Sequence, residues 1–175
     1  MWASTRLQLA ETDESRLRAT ARDTQARVEA EFADRPWREA RFDYLSAQRL
    51  AGRDEMLRLM RAVNVESPVS TVQVRQLLET AVRLYFELKP ADASLFATDG
   101  ELRLEVRDCP VYRRFVAERG AAACACFARR DGWYEALGKQ MWDEQEANLA
   151  WGDPYCRVTI HPGPLYVGFG MHRQR

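Results

Sequence analysis

The residues most able to do chemistry are four cysteines and the acids beside them: Cys109, the Cys124-Ala125-Cys126 pair, and Cys156. Asp108-Cys109-Pro110 places a thiol where an alternating segment meets a proline-started helix. A thiol there can have its thiolate stabilised by free N–H groups and the helix dipole. Asp108 continues the phase of Leu102, Leu104 and Val106, so it is expected on the buried side, where a carboxylate needs a partner. Cys109 also suits a small core residue at a turn. On a strand, Cys124 and Cys126 would face the same side. That suits a metal or a redox pair, and equally a strand that needs small residues to pack closely. Gly152-Asp153-Pro154 is a tight turn feeding Tyr155-Cys156-Arg157-Val158, with Cys156 in phase with Val158 and Ile160 and so facing the core.

A polar line accompanies these thiols. Trp133, Leu137 and Met141 recur at helical spacing, and the same line runs on to Glu144 and Asn148. Two polar residues on an inward face describe either a lined cavity or a helix end emerging into water. His161 and His172 are the only histidines, and neither belongs to a Ser-His-Asp arrangement. Neither the P-loop nor the dinucleotide-binding glycine spacing occurs. The cysteine spacing is uneven and unlike the paired C-x-x-C of a zinc ribbon or redox motif. Zinc held by Cys109, Cys124, Cys126 and Cys156 is therefore the weakest of the site arrangements, and no cofactor is expected.

The elements that must position these residues change character midway. Leu17, Ala21, Thr24, Val28 and Phe32 mark an amphipathic helix from about Ser15, broken at Asp34-Arg35-Pro36. Helices follow over about Trp37–Leu50 and Arg53–Val63, with Gly52 ending or bending the first of them. A fourth, about Thr71–Leu88, starts at a Ser70 or Thr71 cap and stops at Lys89-Pro90. Beyond it, Ala93–Phe96 and Glu101–Val106 flank Asp99-Gly100, a hairpin signal. Pro110 opens a short helix closed by Gly120. Ala121–Phe127 reads as a buried strand, Asp131–Ala150 as a helix, and Tyr155–Ile160 with Leu165–Phe169 as a final hairpin. The expected architecture is one α+β domain: a lead over 1–14 with room to be flexible, a helical part over 15–90, and a part over 91–170 carrying a small antiparallel sheet.

Composition narrows the partners. A chain of 175 residues fits one core. The 26 basic and 26 acidic residues cancel, which leaves no electrostatic footprint for nucleic acid. Neither a signal-peptide apolar region nor a membrane-length apolar run is present, so a cytoplasmic protein with reduced thiols is expected. The expected partner is a small molecule, with no membrane, and with homo-oligomers left open.

Taken together, Asp108-Cys109-Pro110, Cys126 and Gly152-Asp153-Pro154-Tyr155-Cys156-Arg157-Val158 resemble the L-2-amino-thiazoline-4-carboxylic acid hydrolase-like family over roughly Leu45–Ile160. The resemblance implies a hydrolase that opens a small nitrogen-containing ring or cleaves a related C–N bond. The part from Cys124 to Ile160 is also similar to the four-vinyl reductase domain, which binds small molecules. That domain often has a cysteine where this chain has Asn148, which weakens a zinc or sensor role carried over from it. Under the hydrolase resemblance, Cys109 or Cys126 is the nucleophile and Asp108 or Asp153 the proton carrier. Glu144 and Asn148 are then substrate contacts, with Trp133, Met141 and Trp151 lining the pocket. Under the second, the same pocket holds a ligand without catalysis.

Overall fold

The computed structural model describes residues 7–68, 70–85, 93–98, 101–120, 123–138 and 141–162. Three helices come first: α1 (Glu11–Phe32), α2 (Trp37–Ala62) and α3 (Thr71–Tyr85). Helix α1 buries Leu17, Ala21, Gln25, Val28 and Phe32 along one stripe, and Glu11, Asp13 and Glu14 in its first turn complement the helix dipole. It starts earlier than Ser15, inside the expected lead. Pro36 separates it from α2, because the residue before proline avoids helical backbone. In α3, the hydroxyl of Ser70 accepts the Gln73 N–H at 3.2 Å, which makes Ser70 the cap.

Gly52 neither ends nor bends a helix: α2 runs straight through it. The glycine serves the packing instead. A Cβ at Gly52 would lie 2.1 Å from the Arg129 carbonyl oxygen, and one at Gly132 would lie 2.1 Å from the Arg49 carbonyl oxygen. Two glycines thus let α2 and α5 (Cys126–Ala136) approach backbone to backbone. Expecting two helices where there is one followed from reading glycine as punctuation; helical backbone tolerates it when a neighbour needs the space.

The remaining elements build the sheet. Strands β1 (Ala93–Thr98), β2 (Glu101–Val106), β3 (Met141–Ala147) and β4 (Cys156–Pro162) pair antiparallel in the order β1-β2-β4-β3. The fold is α+β, with a helical N-terminal half against a small antiparallel sheet. The expected hairpin pairs Ala93 with Val106 through Thr98 with Glu101; its turn residues lie outside the described residues. Between β2 and α5, Pro110 opens a helical segment that is π-wound over Tyr112–Val116 and ends in α4 (Ala117–Arg119) at Gly120.

Two expected elements are replaced. The strand expected over Ala121–Phe127 is not found over its described residues, 123–127: Ala123 lies in a 3-10 turn and α5 begins at Cys126. The helix expected over Asp131–Ala150 ends at Ala136; Gly138 takes φ +62 to turn the chain, and β3 follows. Met141, Glu144, Gln145 and Glu146 favour a helix intrinsically, yet pairing along β4 holds the segment extended. Both edges of β4 are occupied, by β2 and β3. The expected strand Leu165–Phe169 falls outside the described residues.

The larger core gathers Met56 and Leu59 of α2, Leu77, Leu78 and Ala81 of α3, Leu102 and Leu104 of β2, Val158 and Ile160 of β4, Trp133 of α5 and Leu137 at its end. A second cluster joins Val28, Phe32 and Tyr44 to Phe115, Val116, Ala123 and Ala125, with Tyr44 stacked on Phe115 at 5.2 Å.

Candidate functional site

The four thiols meet at the seam between these clusters. Cys109, Cys126 and Cys156 pack against the larger, Cys124 against the smaller, and all four are half-buried free cysteines. The elements that bring them there are different in each case. Cys109 ends the strand-to-helix link after β2, and its sulfur accepts the Tyr112 N–H at 3.5 Å. It therefore sits at the mouth of a helix as expected, but burial pushes its thiol up to about 11. Cys156 opens β4; its sulfur accepts the Leu149 N–H at 3.3 Å, and burial pushes it up to about 12.

Cys126 differs. It is the first residue of α5, and its sulfur lies 3.6 Å from that of Cys124. Hydrogen bonding from Cys124 lowers the Cys126 thiol to about 6, with help from the Arg130 guanidinium one helical turn on and against the opposing effect of burial. The same contact, with burial, pushes Cys124 up, so one thiol of the pair keeps its proton and the other gives it up. Arg130 is itself held rigidly. Its Nε and Nη2 donate to the Asp143 carboxylate at 2.6 and 3.2 Å, and the Tyr134 hydroxyl donates to the same group at 2.8 Å. Those anchors come from the inward face of β3, where Gln145 lies within 3.5 Å of Arg130.

Asn148 bridges the remaining thiols. Its amide lies 3.8 Å from the Cys124 sulfur through Nδ2, and its Oδ1 lies 3.6 Å from that of Cys156. The 3-10 turn Leu149–Trp151 fixes this side chain, since Oδ1 also accepts the Ala150 N–H at 2.8 Å. Asp153 accepts the Asn148 N–H at 2.7 Å, so this acid braces the turn and is spent on the backbone.

Of the predicted site residues, Cys126 contacts Cys124, Asn148 contacts Cys124 and Cys156, and Cys109 meets the Tyr112 N–H; the others do other work. Asp108 does not face the core: β2 ends at Val106, its phase stops there, and the carboxylate pairs with Arg113 at 2.5 Å with 42% of its side chain exposed. Glu144 stands exposed on the outer face of the sheet, because strand alternation turns it away from Asp143 and Gln145. Trp133 is buried with its Nε1 donating to Glu55 at 3.3 Å, and Met141 fills the larger core. Trp151 is 57% exposed and lines nothing near the thiols. His161 stacks on Trp142 at 3.9 Å and meets Glu101 at 2.9 Å, remote in role from any triad. Among the described residues, no three or more histidine, cysteine or acidic side chains are arranged to hold a metal ion.

Sequence reasoning missed Arg130, Asp143 and a second buried network. Arg129 donates to both carboxylate oxygens of Glu55 and to the side-chain oxygens of Gln25 and Gln48. Burial raises the Glu55 carboxyl and Arg129 opposes it. The Cys126–Arg130 spacing was a usable signal, but only once α5 is known to start at Cys126. A void of about 20 Å³ lies between this network and the thiols, bordered by Tyr44, Gln48, Tyr85, Ala125, Cys126 and Arg129. A larger open cleft of about 560 Å³ lies elsewhere, between Leu7–Ala10 and the helices α2 and α3.

No family model and no curated protein matches the chain. Among solved structures, it is similar to the trafficking protein particle complex subunit 3 from Naegleria fowleri, solved covalently bound to palmitic acid. The TM-score is 0.51 at 12% identity, over 85% of this chain and 95% of that one. At that identity the likeness speaks for the fold. No helix among the described residues is long and apolar enough to cross a membrane.

Proposed function

We propose that the protein uses Cys126 as a nucleophile toward an electrophilic C=N or C=O carbon of a small nitrogen-containing molecule, in the manner of a C–N hydrolase or ring-opening enzyme. The observation that carries this reading is the Cys124–Cys126 pair beside Arg130, with sulfurs 3.6 Å apart. The Cys126 thiolate forms the C–S bond, and the C–N bond breaks. Cys124, which keeps its proton, donates it to the leaving nitrogen. This role passes to Cys124 because Asp108 is tied to Arg113 and Asp153 to the Asn148 backbone. Water then cleaves the S-linked intermediate, returning one proton to Cys124 and leaving the Cys126 thiolate. Asn148 remains a substrate contact, and the reaction draws on these side chains alone.

The test is a mass measurement after incubation with cyclic thiazoline and related C–N compounds. Trypsin releases Gly120–Arg129, which contains both cysteines of the pair. A substrate-derived adduct on this peptide, together with ring-opened product, is expected from the native chain and from no Cys126→Ser variant. Product formation that survives Cys126→Ser would overturn the proposal.

One observation favours the second reading, a non-catalytic ligand-binding domain. The cleft of about 560 Å³ between Leu7–Ala10 and helices α2 and α3 has room for a small molecule, and none of the four cysteines lines it. Under that reading a ligand binds with no product, and binding persists in Cys126→Ser.

A further inference from the structure

We infer that Cys124 and Cys126 form a peroxide-oxidisable dithiol, a site where a small hydroperoxide is reduced while the two sulfurs close into a disulfide. This goes beyond the hydrolytic reading and shares with it only the nucleophilic character of Cys126.

Geometry comes first. The two sulfurs lie 3.6 Å apart, and no other pair of thiols is in direct contact among the described residues. Residues two apart cannot have Cα atoms separated by more than about 7 Å, which keeps them near the span a disulfide bridges. Ala125 between them is buried, and Cys124 precedes the helix, so side-chain rotation at Cys124 brings the sulfurs together without unwinding α5. Access comes second. A void of about 20 Å³ against Cys126 admits a water-sized molecule. Hydrogen peroxide, with two heavy atoms, is the hydroperoxide nearest that size. Charge comes third: Arg130 beside Cys126 favours the thiolate that attacks the peroxide bond.

The chemistry balances. The Cys126 thiolate attacks one peroxide oxygen; an S–O bond forms, the O–O bond breaks, and the other oxygen leaves as water or an alcohol after taking a proton. Cys126 is now a sulfenic acid. The Cys124 sulfur attacks the Cys126 sulfur; an S–S bond forms, the S–O bond breaks, and hydroxide departs as water with the proton of Cys124. Two thiols lose two electrons and two protons, and one hydroperoxide gains them. An external dithiol reverses the closure. Cys109 and Cys156 stay out of the exchange, since each half-buried sulfur faces a backbone N–H outside the pair and burial keeps its thiol protonated.

The experiment treats the reduced full chain with hydrogen peroxide, unfolds it, alkylates the remaining thiols and maps the tryptic peptides. Gly120–Arg129 is expected two hydrogens lighter than its reduced, unalkylated mass, with Cys109 and Cys156 still alkylated. Cys124→Ser should stop at a sulfenic acid on Cys126, captured by a cyclic diketone; Cys126→Ser should leave Cys124 reduced. A first disulfide at Cys109 or Cys156, a disulfide between chains, or a peptide that stays reduced while free cysteine is oxidised would overturn the inference. Closure without any carbon adduct would sink the hydrolytic reading alone. Carbon adducts without closure would sink this inference alone.

Discussion

At the residue scale, Cys126 is the sulfur on which both proposals rest, and its neighbours define how it should titrate. Alkylation of Cys126 should follow a midpoint near the lowered value of about 6, whereas Cys109 and Cys156 should remain protonated up to about 11 and 12. Alkylation rates mapped by peptide across pH check this, and faster labelling of Cys109 at neutral pH would contradict it. Removing the nearby charge by Arg130→Gln should move the Cys126 midpoint up toward the ordinary thiol value of about 8.5. The sign of the linked stability follows. A thiol whose folded value is depressed contributes stability that is present above its unfolded value and lost as pH falls through its folded value. Denaturant midpoints of the native chain should therefore fall between about 8.5 and about 6 relative to Cys126→Ser, whose profile lacks that component.

At the scale of elements, the site depends on how closely α2 and α5 cross. Gly52 and Gly132 each meet the partner backbone where a Cβ would stand 2.1 Å from a carbonyl oxygen. Backbone cannot yield as a flexible side chain does. Gly52→Ala and Gly132→Ala should each cost at least ~1–3 kcal/mol in chemical denaturation, and both should shift Cys126 alkylation, because α5 carries that residue at its start. Wild-type stability in either variant would show that the helices separate freely. Gly138→Ala provides the contrast. No atom lies within 4 Å of a Cβ there, and only its φ of +62 opposes the substitution. It should cost about 1 kcal/mol, the ordinary penalty for a left-handed residue, and leave Cys126 labelling unchanged.

Across the whole molecule, a buried charge network ties the helices together behind the site. Arg129 of α5 joins Glu55 and Gln48 of α2 and Gln25 of α1, while the Tyr85 hydroxyl of α3 donates to the Glu55 carbonyl at 2.8 Å. Helices α1, α2 and α5 thus meet in one buried polar network around an ion pair, and α3 reaches the backbone of its acidic residue. Deleting one partner strands a buried charge, so Arg129→Met should destabilise the fold by ~3–5 kcal/mol. Replacing both Arg129 and Glu55 by methionine should recover much of that loss, because no unpaired charge remains. Thermal or denaturant unfolding of the two variants distinguishes a charge effect from lost packing: equal losses would point to packing.

The amino-acid sequence by itself determined the class of fold. Apolar stripes in α1 and α3 are periodic enough to read directly, and alternation of Leu102, Leu104 and Val106 marks β2, since these patterns reflect which face meets the core. That cysteines dominate the candidate site was also legible, as was the Ser70 cap. Tertiary structure alone decided the rest. Trp133, Leu137 and Met141 recur every fourth residue, a spacing that lets the helix read on past Leu137; Gly138 and the pairing of β3 along β4 make the chain a strand from Met141 onward. Once that segment is a strand, Glu144 turns outward and Asp143 turns in to fix Arg130. The ranking of the thiols likewise depends on burial and on which guanidinium stands within reach, quantities set by residues distant in the chain. Local pattern encodes faces; it does not encode which faces meet, and Cys126 becomes the distinctive sulfur only where α5, β3 and the Cys124 turn come together.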